Sequence, residues 1–88
     1  MAYQLIILPK AEKELKKLPK KEFLKVDEAI LMLADNPRPV GCKKLQAFHD
    51  IYRVRVGDYR IVYRIEDARL IIEVIRVANR KDAYKKLD

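Results

Sequence analysis

The chain has 88 residues, 50% of them hydrophobic, with a formal net charge of +7. That is apolar material for one small core, so a single domain over 1–88 is expected, and the positive balance favours a polyanionic partner. The sequence contains no Ser and no Thr, which excludes a hydroxyl nucleophile of either kind.

In chain order, "YQLIIL" (3–8) reads as a strand. Pro9 suits the first turn of a helix, where its missing N–H leaves no bond unmade. Ala11, Leu15 and Leu18 then recur at helical spacing until Pro19 ends the run. Phe23, Val26, Ala29, Ile30, Leu33 and Ala34 form a second, longer stripe, stopped by "DNPRPVG" (35–41). "YRVRV" and "YRIVYRI" flank Gly57-Asp58 and read as a β-hairpin with a type II′ turn. "EDAR" (66–69) makes another tight turn, and "LIIEVIRV" (70–77) is apolar enough to lie inside a sheet. "NRKDAYKKLD" (79–88) suits a short terminal helix with Asn79 as its N-cap. The fold class is α+β, ordered β-α-α-β-β-β plus the terminal helix: a small antiparallel sheet with two N-terminal helices packed on one face.

Counting outward from Gly57-Asp58 fixes a pairing. Val56 faces Tyr59, Arg55 faces Arg60, Val54 faces Ile61, Arg53 faces Val62 and Tyr52 faces Tyr63. Side chains alternate between faces. Tyr52, Val54, Val56, Tyr59, Ile61, Tyr63 and Ile65 therefore share one face, suited to the helices. Arg53, Arg55, Arg60 and Arg64 share the other with Val62, and that face is expected to stay open. Like charges directly opposite cost roughly 0.2–1 kcal/mol per pair, and a bound anion reverses that sign. Residues 1–37 hold seven lysines and no arginine, whereas residues 51–80 hold seven arginines and no lysine. Guanidinium groups grip phosphate through two donors and stack on bases; the bland alternative is long stems covering the sheet with their heads in water.

The same counting through the second turn pairs Ile65 with Leu70, Val62 with Glu73 and Arg60 with Ile75. Glu73 then sits among the arginines, either balancing Arg53 or Arg64 or acting as a general base. Arg76 falls on the helix side or its rim and reads as structural. Cys42 and His49 are the only soft ligands and lie near a loop, too few for a zinc site; a half-buried cysteine and a surface histidine are the simpler reading. The single cysteine also excludes an internal disulfide and suits a reducing cytosol. The first residues carry too short an apolar run for a signal peptide, and no run approaches a membrane span.

"DNPRPVGCKKL", "YRVRVGDYRIVYRI" and "VIRVANRKDAY" together resemble the RelE/ParE superfamily of type II toxins, with the "LPK" between the helices adding to the likeness. The resemblance spans essentially the whole chain. It implies a cytoplasmic toxin held inactive by a cognate antitoxin, and, on the RelE side, a ribosome-dependent mRNA endonuclease needing no cofactor or metal. Matched by motif, it implies Arg60, Arg80 and Tyr84 as catalytic, and Arg53 and Arg55 as phosphate-binding. Arg64, Lys43 and Lys44 extend the set of RNA-binding cations. Arg53 and Arg55 stand where the best-known pattern has lysines, which keeps charge but suits proton transfer less.

The chemistry so implied is attack of a ribose 2′-oxygen on the adjacent phosphorus, with guanidinium groups stabilising the pentacoordinate phosphate. Two other readings remain open. ParE-like members bind DNA gyrase without nuclease activity, and fold alone does not separate them. A non-catalytic nucleic-acid-binding module is the third, disfavoured because Tyr52, Tyr59 and Tyr63 point to the core by parity and leave no stacking platform.

Overall fold

A computed structural model describes residues 2–45 and 49–79. The described elements are β1 (Gln4–Ile7), α1 (Pro9–Lys16), α2 (Lys20–Leu33), β2 (Lys43–Lys44), β3 (Ile51–Val56), β4 (Tyr59–Glu66) and β5 (Ile71–Asn79). Prolines place the helix boundaries. Pro9 opens α1 in the first turn, and Pro19, in extended backbone at ψ 149°, separates α1 from α2. Beyond α2, Asn36 still donates to the Met32 carbonyl at 3.0 Å, but Pro37 then disfavours helical backbone at the residue before it.

The strands form one sheet in the order β1-β5-β4-β3-β2. It is mostly antiparallel, as expected, with one departure: β1 runs parallel to β5, Gln4 opposite Ile71 and Ile7 opposite Val74. These two strands are joined through everything else in the chain, and such a long connection permits parallel pairing where a hairpin would not. β5 is thus flanked on both sides, which explains its near-continuous apolar sequence. The two-residue β2 was not foreseen; "KK" carries no apolar alternation to announce it.

The first hairpin has the register that the Gly57-Asp58 loop implies: Tyr52–Tyr63, Arg53–Val62, Val54–Ile61, Arg55–Arg60 and Val56–Tyr59. Gly57 takes φ 60°, and Asp58 is not among the described residues with positive φ, the type II′ pattern. The second hairpin differs from expectation. Its turn is Asp67–Leu70, one residue later than "EDAR", closed by Leu70 N–H to the Asp67 carbonyl at 3.3 Å with Leu70 at φ 55°. Moving a turn by one residue moves the register by two, so Ile65 pairs with Ile72 and Glu73 faces Arg64 rather than Val62. Faces survive a shift of two. Beyond Tyr63–Val74 a β-bulge takes up Ile75, so Val62 meets Arg76 and Arg60 meets Ala78, not Ile75.

The core lies between helices and sheet. Ala11, Leu15, Val26, Ile30 and Leu33 pack on Ile61, Tyr63, Ile65, Ile72, Val74 and Val77. The Tyr63 hydroxyl, inside this layer, donates to the Pro37 carbonyl at 2.7 Å, and its ring stacks on Tyr52 with centroids 6.1 Å apart. Arg76 ties α1 to β5. Its guanidinium donates to Glu14 at 3.1, 2.9 and 2.6 Å, and the same carboxylate accepts the Val77 N–H at 2.9 Å. β1 reaches only to the level of Val74, so Glu14 satisfies a β5 backbone donor past the end of its neighbouring strand. The structural role expected of Arg76 is thereby met, but its placement is not the expected one: the bulge sets it across from Val62, on the arginine side by register, from where it bonds to Glu14. The terminal helix expected over 79–88 lies, apart from Asn79 at the end of β5, outside the described residues.

Candidate phosphate-binding face

Both described helices cover one side of the sheet, and parity sends the hairpin arginines to the other. Register places Arg53, Arg55, Arg60 and Arg64 together there, with Ile51, Val62 and Ala78 between them. Those three apolar side chains are at most 5% exposed, so long arginine stems have a hydrocarbon floor to lie along. Arg55 and Arg60 are direct cross-strand partners, where Cβ atoms stand about 4.5–5.5 Å apart. The Arg55 Nε–H is anchored on the Gly57 carbonyl at 3.0 Å, which orients the exposed guanidinium at the turn end of the hairpin. Lys43 joins this group, since it lies across from Arg53. Lys44 does not: its partner is Tyr52, which puts it on the other face, exposed at the sheet edge.

Position along the strands matters as much as face. Arg60 lies across from Ala78 and Tyr59 from Asn79. β5 therefore ends beside the Arg55–Arg60 pair, and the chain continues from there to Arg80. Arg80 and Tyr84 themselves fall outside the described residues.

Arg64 stands at the opposite end of the face, and its surroundings differ. Its Nη1 donates to Glu73 at 3.1 Å, and its Nε lies 3.4 Å from an Asp50 oxygen. Glu73 thus balances Arg64, one of the two partners anticipated for it. Asp50 was missed by sequence reasoning. Strict alternation gives no signal for it: Asp50 sits level with Ile65, whose N–H its carbonyl accepts at 3.0 Å, and only the end of β3 frees its side chain to reach Arg64. A second polar cluster sits apart from this face: Asp67 accepts from Tyr3 at 2.6 Å and from Arg38 at 2.9 Å. Arg38 also covers the Tyr52 ring at 5.2 Å. Hydrogen bonds from Arg38 first and Tyr3 second hold the Asp67 carboxyl below its usual value, while the bond to Asp67 pushes the Tyr3 phenol up. This cluster fastens β1, the 35–41 loop and the β4–β5 turn together. Among the described residues, no three His, Cys, Asp or Glu side chains are placed to hold a metal ion.

Residues 5–84 match the family described as the ParE toxin of the type II toxin–antitoxin system parDE. The chain belongs to this toxin family. Toxin RelE of Mycobacterium tuberculosis is 31% identical over 84 residues, covering 94% of this chain and 87% of that one. The mRNA interferase toxin RelE of Escherichia coli is 29% identical, covering 92% of this chain and 86% of that one. Among solved structures, the archaeal RelE–RelB complex of Pyrococcus horikoshii superposes with a TM-score of 0.82 at 30% identity, covering 94% of this chain and 100% of the matched one. The RelE/ParE resemblance drawn from the motifs is therefore met over nearly the full length, and the fold is that of the RelE toxins.

Proposed function

We propose that this type II toxin is a ribosome-dependent mRNA endonuclease acting in the cytoplasm, held in check by a cognate antitoxin. The observation that carries the reading is the Arg55–Arg60 pair, set on the face away from both described helices and beside the end of β5. Like charges directly opposite on a sheet disfavour each other, and an anion between two guanidinium groups reverses the sign of that interaction. A phosphodiester supplies that anion, and the transition state carries more negative charge than the ground state, so the pair favours cleavage over mere binding.

In the proposed step the ribose 2′-oxygen forms a bond to the adjacent phosphorus while the bond from phosphorus to the 5′-oxygen breaks. The products are a 2′,3′-cyclic phosphate and a free 5′-hydroxyl. Arg53, Arg55, Arg60 and Lys43 hold the phosphate oxygens. Tyr84 takes the 2′-proton, and Arg80 stabilises the leaving oxygen, which collects a proton from water. An ordinary tyrosine titrates near 10, so work near neutrality needs a drop of roughly three units, about 4 kcal/mol of field from neighbouring cations.

Relatives named mRNA interferase and structural neighbours solved with RelB support the nuclease and the antitoxin partner. β2 pairs only with Tyr52 and Arg53 of β3. Alongside the rest of β3 runs a groove of about 160 Å³ lined by Ala29, Met32, Leu33, Pro39, Val54 and Val56 together with Asn36 and Arg55, suited to an amphipathic antitoxin segment. The ParE description of the matching family favours gyrase as the second reading. Induction in cells followed by mapping of mRNA 5′ ends separates the two. Cuts within translated frames are expected; intact mRNA with stalled DNA replication would establish the gyrase reading instead.

A further inference from the structure

β5 outruns its neighbour on one side. β1 pairs with it from Gln4–Ile71 to Ile7–Val74, and the Leu8 N–H makes a last bond to the Val74 carbonyl at 3.0 Å. On the other side β4 stays paired to the end, through Ile61–Val77, Arg60–Ala78 and Tyr59–Asn79. The last residues of β5 would therefore be held by strand pairing along one edge only, and loosely held ends are the first parts of a fold to open. Glu14 of α1 supplies a second hold. Its carboxylate accepts the Val77 N–H at 2.9 Å and three hydrogen bonds from Arg76 Nε and Nη2 at 3.1, 2.9 and 2.6 Å. Among the described residues Glu14 is the one carboxylate paired with Arg76, and the Arg76 Nη1 is buried without a hydrogen-bond partner. The brace thus grips two consecutive residues just past the bulge at Ile75.

The braced stretch runs beside the strand that carries Arg60, since Val77 and Ala78 lie across from Ile61 and Arg60. Arg80 follows Val77 by three residues, a reach of at most about 11 Å for an extended chain. We propose that Glu14 is a positioning residue for RNA cleavage: by fixing Val77 and Arg76 it sets the point from which the chain delivers Arg80 to the Arg55–Arg60 pair. This rests on the nuclease reading and deepens it, adding a residue on α1 that touches no phosphate itself. A carboxylate suits the task because its two oxygens accept from a backbone N–H and a guanidinium at once. Misplacing a catalytic group by about 1 Å costs on the order of 10²-fold in rate, so a small release of the β5 end is enough to be read in the chemistry.

The experiment is single-turnover cleavage of mRNA on programmed ribosomes, with toxin concentration varied to separate the maximum rate from the half-saturating concentration. Each protein is assayed at a temperature where circular dichroism shows it folded. Glu14→Ala should lower the maximum rate about 10²-fold and leave the half-saturating concentration unchanged, because Lys43, Arg53 and Arg55 are untouched. Glu14→Leu/Arg76→Met replaces the buried pair with apolar side chains, an exchange that tends to preserve stability. It should melt near wild type and still lose the maximum rate. Ile30→Ala opens a cavity where the side chain is 0% exposed. It should melt well below wild type and yet cleave at the wild-type maximum rate. The proposal is overturned by a wild-type maximum rate in folded Glu14→Ala or Glu14→Leu/Arg76→Met, or by an equal fall in Ile30→Ala. A raised half-saturating concentration with an unchanged maximum rate also overturns it, since the brace would then serve binding alone. Absence of cleavage by wild type would instead remove the nuclease reading itself, and the role of Glu14 with it.

Discussion

Replacing Glu14 with alanine is the sharpest test of how this sheet is held. The Glu14 carboxylate accepts three hydrogen bonds from the Arg76 guanidinium and one from the Val77 N–H. The Arg76 side chain is 6% exposed and that of Glu14 22%. Removing the acceptor strands a buried cation and a strand N–H together. Breaking one side of a buried pair costs roughly 3–5 kcal/mol, against total stabilities of about 5–15 kcal/mol for a domain. The melting temperature should therefore fall on the order of 20 °C, at the usual few degrees per kcal/mol for a chain this short. Glu12→Ala is the control. It lies on the same helix and pairs with Lys16 at 3.1 Å, but with side chains 71% and 53% exposed, so its loss should stay below about 1 kcal/mol. Urea unfolding followed by circular dichroism gives both midpoints. Equal midpoints for Glu14→Ala and Glu12→Ala would refute the claim that Arg76 depends on Glu14.

Two further outcomes follow from titrating groups. Asp67 lies below its ordinary 3.8 because Arg38 and then Tyr3 donate to it; a depressed folded-state value adds stability above the unfolded value that is lost as pH falls through the folded one. Wild type should thus melt above Asp67→Asn at neutral pH, with the gap shrinking as pH falls through the folded-state value; a gap of the same size at neutral and strongly acid pH would contradict the assignment. Burial first, and then the neighbouring Cys42, push the Tyr63 phenol above 10.0, so its contribution is intact below 10.0 and is lost as pH rises through the higher folded value. An alkaline absorbance titration should show no Tyr63 tyrosinate until the protein unfolds, and Tyr63→Phe should cost about 1 kcal/mol through its lost bond to Pro37. A Tyr63 signal titrating in the native protein near the usual value would refute the burial argument.

Local chemistry explains which features were legible from sequence. Gly57-Asp58 dictates a two-residue loop, a two-residue loop dictates register, and register dictates that Arg53, Arg55, Arg60 and Arg64 share a face. The second turn has no glycine to pin it, so nothing local distinguished a loop at 66–69 from Asp67–Leu70, and the bulge at Ile75 leaves no local trace. Glu14 and Arg76 are 62 residues apart in sequence, and only the folded chain brings them together. Lys43 and Lys44 look equivalent in sequence; a two-residue strand against β3 puts them on opposite faces. Arg80 and Tyr84 entered through motif resemblance rather than through any pattern of spacing.

The central claim is that the hairpin guanidinium groups act on a scissile phosphodiester. The direct measurement is single-turnover cleavage of mRNA on programmed ribosomes by wild type, Arg55→Ala and Arg60→Ala, with melting curves recorded for each protein. Cleavage should fall ~10²–10³-fold in each variant while the folded state persists. Wild-type rates from folded Arg55→Ala and Arg60→Ala proteins would contradict the account.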